Sequence, residues 1–124
     1  MLVICNPRSN RDFKALHDII KSLPASSPKI RVVGAPGDAA AFAKEGIGRK
    51  EEVIVVIGGD GTISEILPII MAGEAKLAII PIGRDNGIAR HLKVPAKPRA
   101  AIKAIIERRC KGVDVMEVRG EHFL

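Results

Sequence analysis

Short apolar runs alternate along the chain with amphipathic stretches, and turn residues separate them. Leu2–Cys5 is an apolar run of strand length. Phe13, Leu16, Ile19, Ile20 and Leu23 then recur at helical spacing, which predicts a helix from about Arg11 to Ser22, ended by Pro24. Ile30–Val33 reads as a second strand, closed by Gly34-Ala35-Pro36-Gly37, and the Ala-rich Ala39–Lys44 as a helix. Val53–Ile57 is the clearest strand, because it is apolar and β-branched throughout, as a parallel strand covered on both faces must be. Ile63, Ile66, Leu67, Ile70 and Met71 mark the next helix. Pro68 lies inside it and predicts a bend, at a cost of about 3 kcal/mol if nothing compensates the lost backbone bond. Leu77–Ile80 is a further strand, and a short helix is expected near Asn86–His91. Pro98 opens a last helix, with Ile102, Ile105 and Ile106 on one face and Gly112 as its stop. Val113–Val118 is a final strand, and the residues up to Leu124 read as a hairpin entered and then cut off, as though more structure had once followed.

Strands alternating with helices predict one α/β domain over residues 1–124, a three-layer arrangement with a mainly parallel sheet. Hydrophobic residues make up 47% of the chain, enough for a core without disulfides, while aromatics are 2% with no Trp or Tyr. The core is therefore aliphatic, and base-stacking on aromatics is unavailable, which argues against nucleic acid as a partner.

Cys5 and Cys110 form no C-x-x-C pattern and read as small apolar core residues in a reducing compartment. His17, His91 and His122 have no metal-ligand spacing with them. No apolar run approaches the length of a membrane span, so a soluble, cytoplasmic chain is expected. The net charge of +6 is uneven. Arg84–Lys111 holds nine Lys or Arg and two acids, a net of +7, so the remaining residues net −1. Such a segment suits phosphate groups or the surface of an anionic membrane, and equally a solvated helix face.

The candidate chemistry lies in Gly58-Gly59-Asp60-Gly61-Thr62, between the strongest strand and a helix. Ligands of parallel sheets bind at the carboxyl ends of strands, where glycines admit a phosphate and a helix N-terminus offers free amides. Thr62 and Glu65 fit a capping box, with a phosphate contact at Thr62 compatible with that role. Asp60 repels phosphate unless it holds a metal or a proton, which suggests Mg²⁺ organisation or a general base; a turn aspartate bonding its own backbone is the structural alternative. Neither G-x-x-x-x-G-K-[ST] nor G-x-G-x-x-G occurs.

Gly58–Thr62 resembles the GGDGT signature of the diacylglycerol kinase catalytic domain, much of which sphingosine kinases, NAD kinases and phosphofructokinases share. Asn6-Pro7-Arg8-Ser9-Asn10 is similar to that family's opening N-P-x-[SA]-G, and Pro81–Arg90 to its P-L-G-T-x-N-D-F-A-R. Val113-Asp114-Val115 resembles the segment leading into the family's second domain. The likeness runs the length of the chain and points to the lipid-kinase branch rather than to NAD kinase. It implies a phosphofructokinase/NAD-kinase-like fold and an ATP-dependent lipid kinase that moves the γ-phosphate of ATP to a lipid hydroxyl. By the same resemblance Asn6, Gly58, Gly59, Gly61, Thr62, Glu65, Gly83, Arg84 and Asn86 bind nucleotide, and Asp60 serves catalysis and Mg²⁺.

Three departures from the family pattern change a polar group. Its Thr after Gly83 is Arg84, its Asp after Asn86 is Gly87, and the Asn of its GGDGT-x-N-E run is Ser64. Asp85, one residue before Asn86, is the candidate substitute for that carboxylate, with a different direction expected for its side chain. The family also has a second, β-rich domain, which this sequence is expected to lack and to find in another chain or in a second copy. The alternative expectation is a nucleotide-binding module without turnover.

Overall fold

Four apolar runs become four parallel strands, and the computed structural model describes them within residues 1–7, 10–23, 28–107, 112, 116–118 and 121–123. The elements in chain order are β1 (Leu2–Cys5), α1 (Asn10–Lys21), β2 (Lys29–Val32), α2 (Asp38–Gly48), β3 (Val53–Gly58), α3 (Asp60–Ala72), β4 (Lys76–Pro81), α4 (Gly87–His91), α5 (Pro98–Ile106), β5 (Met116–Val118) and β6 (Glu121–Phe123). The sheet order is β2-β1-β3-β4, parallel throughout, with Val3 beside Val55 and Val55 beside Ala78. β5 and β6 form a separate antiparallel pair, and β6 packs against α3.

The period-two alternation of strand side chains builds both faces at once. Leu2, Ile4, Ile54, Val56 and Ile79 face α2, α3 and α4 through Ala39, Ala43, Ile63, Ile66 and Ala89. Val3, Cys5, Val55, Ile57 and Ile80 face α1 and α5 through Leu16, Ile19, Ala101 and Ile102. This is the expected three-layer α/β domain. Each fully buried Val, Leu or Ile contributes about 1.5–3 kcal/mol, which is why β1 and β3 tolerate no polar residue. Cys5 is fully buried and its thiol is pushed up to about 11 by that burial, so it stays a neutral core group.

Several boundaries differ from the sequence reading for physical reasons. α2 runs on through Gly46 to Gly48, beyond the expected Lys44. Gly46 is there because the helix lies so close to the sheet that a Cβ would fall 2.7 Å from Leu2 and 3.0 Å from Ile54. α2 and α4 each end in a Schellman turn with a lysine where glycine is usual. Lys50 has φ 57 and the Glu51 amide donates to the Gly46 carbonyl; Lys93 has φ 60 and the Val94 amide donates to the Ala89 carbonyl. A cation at a helix C-terminus offsets part of the cost of the left-handed backbone by opposing the dipole.

α3 continues through Pro68 as one helix. Pro68 and Ser64 are both exposed, so water can reach the carbonyl that the proline leaves unbonded. β2 begins one residue earlier than expected, and α5 ends at Ile106 with Glu107 as its cap rather than running to Gly112. Arg8, Ser9, Pro24, Arg108, Cys110, Val113–Val115, the hairpin turn at Arg119-Gly120 and Leu124 lie outside the described residues. Among the described residues no helix is long and apolar enough to cross a membrane.

Candidate functional site

The chain passes from β1 to β2 on one side of the sheet and then to β3 on the other side of β1. Connections that part in opposite directions open a crevice beyond the carboxyl ends of those two strands, the usual ligand position of such sheets. Asn6 follows β1 and Gly58-Gly59 follows β3, so both stand at that crevice. The ladder extends past the strands to hold them: the Asn6 amide donates to Ile57 at 2.9 Å and the Ile82 amide to Gly58 at 3.1 Å.

A cleft of about 340 Å³ is lined by Asn6, Gly59, Asp60, Gly61, Thr62, Glu65 and Gly83–Asn86. The fold therefore gathers nine of the ten residues singled out in the sequence, and the tenth, Gly58, is buried directly beneath them. A second cleft of about 330 Å³ adjoins it, sharing Asn6 and Glu65 and adding Pro7 and Val33–Pro36. Sequence reasoning took Val33 as the end of a strand and Gly34–Pro36 as part of the turn that closes it, and assigned neither to a site. The available signal was its position after a strand of a parallel sheet.

The glycines of the loop do different things. A Cβ on Gly58 would come within 3.2 Å of the Thr62 hydroxyl. Gly59 and Gly83 touch backbone to backbone: a Cβ on Gly83 would lie 2.6 Å from the Gly59 Cα and 2.5 Å from Asn86 Oδ1. Gly61 is exposed, and a Cβ there would meet nothing within 4 Å. The first glycines let two loops close on each other; Gly61 faces the open cleft.

Thr62 corrects the capping-box expectation. α3 begins three residues earlier, at Asp60, with Gly59 rather than Thr62 as N-cap and no side-chain cap bond. Thr62 is instead 4% exposed, the one buried polar side chain among the described residues, and its Oγ1 accepts from Asn6 Nδ2 at 2.7 Å. That bond ties the β1 loop to the first turn of α3. Glu65 turns toward α2, where its Oε1 accepts from the Ala40 amide at 3.4 Å. A carboxylate at a helix N-terminus is stabilised by the free amides and the dipole.

Asp60 joins the two halves of the cleft. Its Oδ2 accepts from the Gly87 amide at 2.8 Å and its Oδ1 from the Ile88 amide at 2.9 Å. These are the first two amides of α4, so Asp60 caps that helix from a different loop. Neither the metal and general-base reading nor the own-backbone turn reading anticipated this contact. A Cβ on Gly87 already approaches Asp60 Oδ2 at 3.2 Å, so glycine suits the close docking. Each carboxylate oxygen has a second lone pair, and Asp60 still lines the cleft.

Asn86 adopts the left-handed backbone, with φ 50, and stands at the N-cap of α4. Its Nδ2 donates to the Gly83 carbonyl at 2.8 Å, which fixes the loop, while its buried Oδ1 has no donor among the described residues. Arg84 and Asp85 are exposed at the cleft mouth, and Arg84 has no acidic partner among the described residues. Among those residues no three His, Cys, Asp or Glu gather as a metal cluster. Mg²⁺ needs less: it keeps most of its waters and takes one or two carboxylates with the substrate's phosphates, and Asp60 fits that requirement.

Residues 1–118 match the family described as the diacylglycerol kinase catalytic domain. Over 97 residues the chain is 36% identical to a Pseudomonas aeruginosa protein named "probable lipid kinase YegS-like", covering 77% of this chain and 32% of that one. It is 29% identical over 129 residues to a protein named diacylglycerol kinase from Bacillus subtilis, covering 98% of this chain and 43% of that one. A solved structure of a diacylglycerol kinase from Bacillus anthracis superposes with a TM-score of 0.84 at 33% identity, over 99% of this chain and 47% of that chain. The chain thus spans less than half the length of each of these relatives.

Proposed function

Because this chain belongs to the diacylglycerol kinase catalytic domain family, we propose that its cleft binds Mg²⁺–ATP as the nucleotide half of a lipid kinase. The observation that supports this most is the pairing of open Gly61 with Asp60 at the first turn of α3, beyond the end of a central strand. Phosphates would lie against the Gly59–Thr62 backbone, with Arg84 reaching them from the opposite loop. The nucleoside end would extend into the adjoining cleft over Val33–Pro36.

In the complete reaction a lipid hydroxyl oxygen bonds to the γ-phosphorus, the bond from that phosphorus to the bridging oxygen breaks, ADP leaves, and the hydroxyl proton passes to a base. Asp60 is the residue here that would hold Mg²⁺, which would supply neutralisation of the phosphate charge. Asn6, Asn86 and the Gly59–Gly83 contact fix the loops around the phosphates, which serves a reaction governed mainly by positioning. The acceptor side of the cleft, including the β-rich domain of the family, would come from beyond the residues described, from a partner chain or from a second copy.

A second reading, a nucleotide-binding module without turnover, draws on Gly87, which stands where the family pattern has a carboxylate and donates its amide to Asp60. Transfer of labelled phosphate from ATP to a panel of lipids, with Asp60→Ala as control, separates the two. Transfer that the control abolishes supports the kinase; ATP binding without transfer supports the module.

A further inference from the structure

Two large apolar side chains are exposed side by side on one short strand. Ile30 is 38% and Val32 46% exposed on β2, whereas Met71 and Ile106 are exposed singly on helices. Ile30 lies beside Val3 and Val32 beside Cys5, so both extend the α1 face of the sheet out to its edge. β2 is the edge strand: β1 pairs with one side of it and, among the described residues, nothing pairs with the other.

The backbone of β2 divides in the same way. The Lys29 amide donates to the Met1 carbonyl and the Val33 amide to the Cys5 carbonyl. Backbone groups alternate in direction along a strand, so those of Arg31 also face β1, and those of Ile30 and Val32 face outward. Free ladder groups along a flat apolar edge are a template for another strand.

Arg31 stands midway between the two and covers this edge. Its guanidinium lies against α2, with Nη2 2.6 Å and Nε 3.1 Å from the two carboxylate oxygens of Glu45. Its Nη1 donates to the outward Ile30 carbonyl at 3.1 Å. A ladder acceptor is thus occupied by a side chain that Glu45 holds in place.

We propose that the β2 edge is a docking surface for a second copy of this chain, held shut by the Arg31–Glu45 pair. β2 is complementary to itself about Arg31. In an antiparallel pair centred there, Ile30 of one copy exchanges both ladder bonds with Val32 of the other. The exposed Ile30 and Val32 side chains of the two copies then cover one another, and the two sheets become continuous. Arg31 opposes this in two ways. It caps the Ile30 carbonyl, and at the centre of the pair it would face its own copy, where like charges directly opposite are unfavourable. The blocking side chain sits on the axis of self-pairing, so the strand it excludes is the chain's own.

Sedimentation velocity on the full chain tests this. Arg31→Thr keeps a residue suited to a strand and should dimerise about tenfold more tightly than the unmodified chain. Arg31→Val should do the same. Hydrogen exchange at the Ile30 and Val32 amides should slow in that dimer. Adding Ile30→Pro to Arg31→Thr should abolish the gain, because proline is tolerated where an edge amide makes no ladder bond and blocks a new one. Arg49→Ala removes the other cation on Glu45, 3.2 Å away, and should leave association as it was. Arg31 lines neither cleft, so Arg31→Thr should keep the ATP affinity of the unmodified chain. Folded Arg31 variants that associate no more than the unmodified chain would overturn the proposal. So would a gain that survives Ile30→Pro, an equal gain in Arg49→Ala, or an unmodified chain that already dimerises through β2 and loses this with Ile30→Pro.

Discussion

Gly59 and Gly61 stand two residues apart in one loop and have opposite surroundings. A Cβ on Gly59 would press on the Gly83 backbone at 3.0 Å, whereas a Cβ on Gly61 would meet no atom within 4 Å. The closed side of the loop, with Gly58, Gly59 and Gly83, uses glycine so that two parts of the protein can touch. The open side, with Gly61 and Arg84, has no such need, and the space it leaves is available to a ligand. The same residue type thus marks an internal fit at one position and a candidate binding surface at the other.

Substitutions on the two sides should separate cleanly. Gly83→Val should have the largest effect, because its Cβ would meet backbone that cannot move without unseating the Gly59 loop. A loss of about 3 kcal/mol in denaturant stability, together with loss of ATP binding, is expected. A normal denaturation midpoint would show that the two loops are not pressed together.

Asp60→Ala should come next. It leaves the Gly87 and Ile88 amides without their acceptor, at a cost of about 1–3 kcal/mol, and should speed hydrogen exchange at those two amides. It should also remove the Mg²⁺ dependence of ATP binding. Asp60→Asn retains one acceptor oxygen and should keep more of the stability than of the Mg²⁺ dependence. If both variants lost the two properties in step, the cap and the metal role would be one and the same.

Asn6→Ala takes the donor from the nearly buried Thr62 hydroxyl and should cost about 1 kcal/mol in the same denaturation measurement. Arg84→Ala should be the mildest. Stability should stay within about 0.5 kcal/mol, while ATP affinity falls by roughly fivefold to tenfold and its salt dependence flattens. Unchanged affinity at low salt would make Arg84 a surface charge only.

What the sequence could reveal follows from how local each feature is. β1 and β3 were legible because a strand covered on both faces must be apolar at every position. The cleft residues were legible as a set through the resemblance of Asn6–Asn10, Gly58–Thr62 and Pro81–Arg90 to the diacylglycerol kinase pattern, and the fold brings them together. The full length of α2 was hidden, because Gly46 looks like a helix breaker and is in fact where helix and sheet come closest. The start of α3 was misplaced because Thr62 and Glu65 have capping-box spacing, yet they bond Asn6 and α2 instead. The tie from Asp60 to α4 crosses 27 and 28 residues of sequence and leaves no local trace.

The central claim is that the open side of this loop receives ATP, and Gly61→Ala tests it most directly. Gly61 sits in the first turn of α3 without a left-handed backbone, so alanine should stabilise the fold by about 0.5–1 kcal/mol. The same methyl stands in the cleft, so calorimetric titration with Mg²⁺–ATP should show about tenfold weaker binding than the unmodified chain. A variant that melts higher and binds ATP less is the predicted result. Equal ATP affinity in the two proteins, or no ATP binding by the unmodified chain, would contradict the account.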